Sequence, residues 1–388
     1  MPTIDVVIGA NFGDCGKGLF VDYLTASYNG DVINVRHSSG ANAGHTVITP
    51  EGYRHVFSHF GAGTFAGAKT YLSEFFLSNP VLFKKEFQQL GKEDLRVIIH
   101  PESKITTPYD MILNQAIERK RDKNRHGSCG SGIHETMKRH EKIPFTVKDI
   151  NSQKIIDIIY NIREYVKTQA LIADVQDEVY ILADNPLVIK QFIEDLQFFA
   201  EHIDIANYDY FNDKEHIIFE GAQGLLLDQD HEYFPHVTHS KTGLNNVKNI
   251  MDEISEYWED DYNTNIYYIS RGYMTRHGVG PFLSETVDEL PYDSIYDKTN
   301  IHNEWQQSLR FGYLDLTLLK TSIYKDHDIG KLNIVVTCMD QLPDPFIIKE
   351  NDEMIEISKQ KFYEKLKNQY GSVWISEGET RKTITKLF

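Results

Sequence analysis

Apolar and polar residues along this chain fall into blocks that predict buried strands followed by helices. Residues 3–9 (TIDVVIG) form an apolar run typical of a buried strand, and the apolar periodicity of residues 19–28 predicts a helix after it. Similar runs predict further strands at 31–36, 53–57, 95–101, 216–222, 266–272, 332–338 and 372–378. Because the strands alternate with helical stretches, we expect an α/β fold with a large, mostly parallel central sheet and helices on both faces.

One long stretch departs from this alternation. Residues 147–208 carry apolar residues at helical spacing and contain almost no Gly or Pro, which predicts two or three consecutive helices. We interpret them as a helical subdomain inserted into a single domain that covers residues 1–388. Another helix is predicted at about 313–326.

Composition and charge narrow the classes of function. The 388 residues are 41% apolar and 25% charged, as in a typical globular protein, and the net charge of −17 argues against a general nucleic-acid binder. No stretch approaches the roughly 18 apolar residues of a membrane helix, and the first residues lack the basic flank and apolar core of a signal peptide. We therefore expect a cytoplasmic protein that binds neither nucleic acid nor membrane.

A Gly-rich loop follows the first predicted strand. It runs Gly13-Asp14-Cys15-Gly16-Lys17-Gly18 and differs from the GxxxxGK[ST] phosphate loop, because Asn11 stands at the first Gly and Gly18 at the hydroxyl position. Its backbone N–H groups and Lys17 suit a phosphate, and Asp14 suits a metal ligand or a base. The alternative is a plain strand-to-helix turn with a solvated lysine and a capping aspartate.

A second loop, Asn42-Ala43-Gly44-His45-Thr46, places one histidine among small residues. A lone histidine is more often structural than catalytic, but the two loops together change that interpretation. GDxGKG after the first strand and NAGHT after the second are the signature of adenylosuccinate synthetases. The chain resembles this family at both positions.

Three longer motifs extend the resemblance over most of the chain. The family's GTTGRGIG turn resembles residues 127–133, where Ser128 and Cys129 stand at the two threonines. The family's FEGAQGxLLDxDHxxYPxVT run resembles residues 219–238, and its TRxGxGPFxxE run resembles residues 275–285.

The resemblance implies a carbon–nitrogen ligase that joins L-aspartate to C6 of a 6-oxopurine nucleoside monophosphate such as IMP, with GTP as phosphate donor. In the family an aspartate removes the N1 proton, O6 then attacks the γ-phosphate, and a histidine stabilises the transferring phosphoryl group. Asp14 and His45 match these two residues, and Lys17 and Gln223 complete the implied catalytic set. Mg²⁺ is implied at Asp14 and at the Gly44 carbonyl.

The resemblance also implies binding residues for both nucleotides. A partner subunit's arginine at the acceptor phosphate implies a homodimer, with Arg139 or a neighbouring lysine in that role. The guanine of GTP is implied at Asp340, although the run Thr337-Cys338-Met339-Asp340 lacks the lysine of the family's TKxD motif. The full set of implied nucleotide and substrate contacts is Gly13, Cys15, Gly16, Gly18, Asn42, Ala43, Gly44, Thr46, Ser128, Cys129, Arg139, Thr238, His277, Arg310, Asp340, Ser376 and Gly378.

The amino-acid loop is the main departure from the family. Residues 303–315 keep only Arg310 and the final GxLD-like tail of the family's GATTGRRRRTGWLD run, and Ser308 replaces an arginine implied to meet the aspartate and the ribose 2′-hydroxyl. The sequence therefore leaves open which amine is the nucleophile and whether the acceptor nucleotide carries ribose or deoxyribose. A phage-type enzyme that joins aspartate to dGMP with GTP or ATP is the leading rival, although such relatives often carry Ser where this chain has Asp14. A ligase for a different amine, a non-catalytic nucleotide-binding regulator and a GTPase also stay open.

Overall fold

The computed structural model describes residues 2–122, 129–257, 262–287, 289–300 and 308–388. Its strands are β1 (Thr3–Gly9), β2 (Val32–Arg36), β3 (His45–Ile48), β4 (Arg54–Phe57), β5 (Lys69–Leu72), β6 (Val97–Ile99), β7 (Ile203–Ile205), β8 (His216–Glu220), β9 (Asn263–Arg271), β10 (Tyr273–Arg276), β11 (Arg310–Asp315), β12 (Lys331–Thr337), β13 (Phe346–Glu350), β14 (Glu353–Ile357), β15 (Ser372–Ser376) and β16 (Ile384–Lys386). Its helices are α1 (Lys17–Ser27), α2 (Pro80–Leu90), α3 (Pro108–Arg121), α4 (Ile133–His140), α5 (Ile155–Ile172), α6 (Gln176–Ala183), α7 (Pro186–Glu201), α8 (Asn245–Ser255), α9 (Leu316–Asp326) and α10 (Lys359–Tyr370).

A ten-stranded sheet forms the centre of the molecule, in the order β16-β15-β12-β9-β1-β8-β2-β5-β6-β7. Every neighbouring pair is parallel except β15 and β16. The predicted large, mostly parallel sheet is confirmed. Because β1 lies inside the sheet with both faces covered, it needs apolar side chains on both sides, and this explains its unbroken apolar run.

Helices cover both faces of the sheet, as predicted. One apolar core contains Phe20 of α1 and Phe83 of α2, together with side chains from α3, α5, α6 and α7. The other core contains Ile250 of α8 and Phe362 of α10, together with side chains from α9.

The stretch predicted to be helical between 147 and 208 contains the three helices α5, α6 and α7. Helices α5 and α6 pack on α3, and α7 packs on α2. The stretch does not remain helical to its end, because residues 203–205 form β7, which adds to the edge of the main sheet beside β6.

Two predicted elements differ from the structure. The strand at 54–57 lies outside the central sheet and pairs antiparallel with β3, so that His45 is opposite Phe57. The helix predicted at 313–326 begins at Leu316, because residues 310–315 form β11, which pairs with β10 and β13. Asp315 ends this strand and its carboxylate accepts from the Leu318 N–H at 2.9 Å, which caps α9.

The carboxyl ends of the parallel strands bring the predicted motifs to one edge of the sheet. The first loop follows β1, the second loop follows β2, and Gln223 follows β8. The TKxD-like run ends β12, and the Ser376 turn ends β15 beside it. This edge is where α/β sheets bind their ligands. Among the helices that the structure describes, none is long and apolar enough to cross a membrane.

Candidate active site

The Gly-rich first loop leaves the centre of this edge and contacts loops on both sides. Lys17 Nζ donates to the backbone carbonyl of Gln223 at 2.6 Å, and the Thr337 hydroxyl donates to the carbonyl of Cys15 at 2.9 Å. Gly13 has a φ of 96°, and a Cβ added there would lie 3.2 Å from the Gln223 backbone, so any other residue would be strained at this position. The loop therefore lies between the segment after β8 and the segment after β12.

Asp14 has a left-handed backbone, with a φ of 48°, and its side chain is 31% exposed. His277 Nε2 lies 3.1 Å from Asp14 Oδ2, and Arg271 donates through Nε to the Asp14 backbone carbonyl. Burial alone would raise the pKa of Asp14, but the hydrogen bond and charge of His277, with the charges of Arg271 and Lys17, lower it to about 2. Asp14 is therefore ionised at neutral pH.

Arg271 and His277 also connect Asp14 to the chain that leads into the amino-acid loop. Arg271 Nη2 donates to Asp297 Oδ2 at 3.0 Å, and His277 Nε2 lies 3.1 Å from Asn300 Oδ1. Sequence reasoning missed Arg271. The signal that would have found it is a cationic residue at the carboxyl end of β9, next to the strand that leads into the Asp14 loop.

His45 begins β3 and is almost fully buried. Its Nδ1 makes a short hydrogen bond to Glu220 Oε1, and Glu220 Oε2 accepts from the Ala62 N–H at 2.9 Å. Burial lowers the pKa of His45 to about 4, although Glu220 opposes this shift. Burial alone would raise the pKa of Glu220, but Arg36 and His45 lower it to about 2. Because an ionised carboxylate only accepts, His45 holds its proton on Nδ1 and leaves Nε2 for a ligand.

The first and second loops meet beside the start of α1. A Cβ added at Gly18 would lie 3.0 Å from the Cβ of His45 and 3.0 Å from the carbonyl of Thr46. The charge of Lys17 acts on both Asp14 and His45. This arrangement is compatible with the implied catalytic roles, and the roles themselves stay predictions. The other implied loop contacts, Gly16, Ala43 and Gly44, belong to these same two loops.

Ser38 and Ser39, just before the second loop, contact the segments that carry the residues implied to bind the acceptor nucleotide. Ser38 Oγ accepts from the Ala222 N–H at 3.1 Å, next to Gln223. The Ser39 hydroxyl donates to Asn42 Oδ1 at 2.9 Å, and its backbone N–H donates to Ser240 Oγ at 2.9 Å. Since Ser240 is two residues after Thr238, the structure brings Asn42, Gln223 and Thr238 around one loop.

The turn at 129–132 lies beside the same loop. A Cβ added at Gly40 would lie 3.0 Å from Ile133, the first residue of α4, and the rings of His134 and His239 lie 4.0 Å apart. Cys129 is half-buried in this turn, with its Sγ 2.9 Å from Ser131 Oγ. Ser128, the other implied contact, lies outside the described residues.

Arg139 is a correction to the sequence analysis. Its guanidinium is fully buried and bonds to the Asp110 carboxylate at 3.0 Å and to the carbonyls of Ile105 and Ile143. A side chain enclosed in this way has no path to the nucleotide of a partner subunit, so the prediction for Arg139 is wrong. The alternative that a neighbouring lysine has this role keeps a physical basis, because Lys138 is exposed.

The residues implied to bind the donor base lie on two adjacent strand ends. Asp340 is exposed just after β12, and partial burial together with Glu377 and Glu379 raises its pKa. Ser376 is buried at the end of β15, where its hydroxyl donates to the Gly378 carbonyl at 2.9 Å. The segment after β12 contacts the first loop through Thr337.

The Arg310 guanidinium makes an ion pair and hydrogen bonds within its own chain. It pairs with the Glu285 carboxylate and donates to the carbonyls of Gly278 and Gly280, both at 3.0 Å. A role for Arg310 at the substrate stays a prediction. Residues 303–307 of the amino-acid loop lie outside the described residues.

Comparison with known proteins settles the family. The family model described as adenylosuccinate synthetase matches residues 6–348. The chain belongs to the adenylosuccinate synthetase family. The enzyme of this name from Flavobacterium johnsoniae is 31% identical over 338 residues, which cover 83% of this chain and 75% of that one. The enzyme from Clostridium beijerinckii is 30% identical and covers 87% of this chain and 78% of its own. The predicted class, a carbon–nitrogen ligase, is confirmed, and the family uses GTP as a substrate.

Solved structures agree with this fold. The fully ligated adenylosuccinate synthetase from Plasmodium falciparum superimposes with a TM-score of 0.78 at 19% identity, covering 98% of this chain and 99% of that chain. The succinoaminodeoxyadenylate synthetase of cyanophage S-2L, bound to dGMP and to dATP as an energy donor, superimposes with a TM-score of 0.66 at 13% identity, covering 100% of this chain and 95% of that chain. At these identities both structures support the fold alone.

The residues at the family's Mg²⁺ position fit that ion. Asp14 is ionised, as a metal ligand must be, and the backbone of Gly44 is exposed beside His45. Within the described ranges, no group of three or more His, Cys, Asp or Glu side chains forms a metal cage. Mg²⁺ usually binds one or two carboxylates together with substrate phosphates, and a single carboxylate beside a phosphate loop matches this pattern.

Proposed function

We propose that this protein joins the amine of L-aspartate to C6 of IMP, with GTP as the phosphate donor and a 6-phosphoryl purine as the intermediate. The observation that carries the proposal is the meeting of two loops beside Gly18, one with the Asp14 carboxylate and the other with the His45 imidazole, where the charge of Lys17 acts on both groups. A protein that only bound nucleotides would need neither a base nor a buttressed imidazole at this position.

In the first step, Asp14 accepts the N1 proton of the purine, and O6 forms a bond to the γ-phosphorus while the bond to the β–γ bridging oxygen breaks. The free Asp14 is a weak base, because His277 and two further cations hold its pKa low. The purine N1–H therefore replaces His277 as hydrogen-bond partner, which raises the basicity of the carboxylate.

His45 and Lys17 stabilise the charge that develops on the transferring phosphoryl group. His45 points Nε2 towards the ligand, since Nδ1–H is held by Glu220. An approaching phosphoryl anion favours protonation of Nε2, and the imidazole then donates to it. Asp14 and the Gly44 carbonyl would hold Mg²⁺, which would supply positive charge next to the donor phosphates.

In the second step, the aspartate amine attacks C6, and phosphate leaves with the former O6. The nitrogen of the new C–N bond then loses one proton. An oxo group is not a leaving group, whereas phosphate is, and this explains why the donor triphosphate is needed. The residues that hold the aspartate stay open, because the amino-acid loop diverges from the family.

A dGMP-using reaction is the second candidate. It is supported by Ser308, which stands where the family's arginine is implied to meet the 2′-hydroxyl. Asp14 favours IMP over this candidate, because the phage-type relatives often carry Ser at this position.

The test is a product assay. The protein is incubated with Mg²⁺, aspartate, GTP or ATP, and each of IMP, GMP and dGMP, and the products are identified by mass. The proposal predicts a succino-purine product from IMP with GTP. Product from dGMP alone would transfer the assignment to the second candidate, and triphosphate hydrolysis that needs no monophosphate would leave only a GTPase.

We further propose a cytoplasmic homodimer in which Lys138 meets the acceptor phosphate of the partner subunit. Light scattering of the purified protein should give twice the mass of 44.8 kDa. A monomeric protein with full activity would contradict the homodimer.

A further inference from the structure

The lysine that is missing from the TKxD-like run has a counterpart elsewhere in the chain. Lys359 lies 20 residues after Met339 along the chain, and its Nζ donates to the Met339 backbone carbonyl at 2.8 Å. Met339 stands between Cys338, which occupies the lysine position, and Asp340. The ammonium group therefore lies against the same short segment that carries the implied base-reading carboxylate.

The position of Lys359 within its helix indicates that its charge does not stabilise the helix. It is the first residue of α10, where the helix dipole disfavours a cation. Its backbone N–H donates to Asp344 Oδ1 at 2.9 Å, and Ser358 caps the helix through the Lys361 N–H. With its backbone fixed in this way, the half-buried side chain extends back to the segment after β12 instead of into solvent.

The Lys359 ammonium also affects the ionisation of Asp340, which lies among acidic side chains. Glu377 and Glu379 raise the pKa of Asp340, whereas Lys359 acts in the opposite direction. Lys298 pairs with Glu379 at 3.1 Å. Lys359 therefore favours the ionised form of Asp340 in an otherwise acidic place, and only that form accepts two hydrogen bonds from a base edge.

We propose that Lys359 is a specificity-determining residue for the donor base, a role that rests on the proposed function. Its ammonium has three donors, so it keeps the Met339 carbonyl and also donates to the 6-oxo group of guanine, while Asp340 accepts from N1–H and the 2-amino group. In the same orientation, a 6-aminopurine presents an N–H group to the ammonium and a lone pair to the carboxylate. Lys359 thereby selects 6-oxopurine donors over adenine.

The test compares Lys359→Met with Lys361→Met, an exposed lysine of the same helical turn. Isothermal titration calorimetry measures binding of GDP, IDP and ADP to each protein, so that the result does not depend on turnover. Loss of a charge-assisted hydrogen bond predicts that Lys359→Met weakens GDP and IDP alike, by about tenfold, because both carry the 6-oxo group. ADP binding should stay unchanged or tighten, and Lys361→Met should bind all three as the wild type does.

Equal weakening of GDP and ADP would overturn the proposal, since Lys359 would then act on phosphate charge or on the loop. GDP affinity within twofold of the wild type would overturn it as well. Circular dichroism confirms that the variants are folded, and Lys359→Arg, which keeps the charge, should retain the preference for GDP. Wild-type protein that binds none of the three diphosphates would instead contradict the proposed function itself.

Discussion

The buried pair of His45 and Glu220 offers a sharp test of how the site stabilises the phosphoryl group. Glu220→Gln keeps the shape of the side chain but removes the charge that opposes the low pKa of His45. An amide also has only one acceptor oxygen, so it does not serve both the His45 Nδ1–H and the Ala62 N–H. The neutral ring loses its fixed orientation, and its protonated form loses its counter-charge.

The magnitude follows from the kind of bond that is lost. A hydrogen bond to a charged group contributes about 1.5–3 kcal/mol, and each 1.36 kcal/mol corresponds to about tenfold in rate. If His45 acts on the transferring phosphoryl group, Glu220→Gln should lower kcat by about 10- to 100-fold. The KM values for both nucleotides should change little, because the lost interaction belongs to the transition state.

Glu86→Gln is the matched control. Glu86 is also a buried glutamate beside two histidines, with His59 Nδ1 at 3.5 Å and His55 Nε2 at 3.6 Å, and it fixes the Ser58 segment through hydrogen bonds. This variant should lose stability without a selective loss of kcat. Steady-state kinetics on folded protein would refute the reasoning if Glu220→Gln kept kcat within twofold of the wild type, or if both variants lost kcat equally.

Three further predictions concern single residues. Asp14→Asn should lower kcat by about 10²- to 10⁴-fold, as expected for loss of a general base, while calorimetry still detects GDP binding; unchanged turnover would remove Asp14 from the mechanism. Arg139→Met should lower the free energy of unfolding by about 3 kcal/mol in urea titrations, because it leaves the Asp110 charge buried, and wild-type stability would contradict the burial argument. His37 is fully buried, with no hydrogen-bond partner for its ring nitrogens among the described residues, and burial lowers its pKa from 6.5 to about 3. Below pH 6.5 the unfolded chain takes up a proton that the folded protein does not, so the free energy of unfolding decreases as the pH is lowered. In His37→Phe the decrease between pH 8 and pH 5 should be smaller than in the wild type by about 2 kcal/mol in urea titrations. An equal decrease in the two proteins would contradict this role of His37.

Motifs that follow strands were the part of the site that the sequence could predict. The first and second loops, Gln223 and the Asp340 run each follow an apolar run, and carboxyl ends of parallel strands converge whatever the details of packing. Contacts between distant segments were not predictable in this way. Glu220 meets His45 across 175 residues of chain, and Arg271 reaches Asp14 across 257, without a local pattern that marks either pair.

The errors have the same origin. Arg139 stands in a basic run that resembles a phosphate contact, but the packing of α4 on α3 encloses it with Asp110. Residues 313–315 were predicted as the start of the helix that contains α9, but pairing with β10 and β13 holds them as the end of a strand. In both cases tertiary contacts decided between two locally acceptable structures.

The central claim is that O6 of the purine attacks the γ-phosphate and leaves C6 as an oxygen of the released phosphate. IMP carrying a heavy-oxygen label at position 6 tests it directly, with GTP, Mg²⁺ and aspartate present and the released phosphate analysed by mass. The account predicts that each inorganic phosphate carries the label from the purine. Unlabelled phosphate, released while the succino-purine product forms, would contradict it.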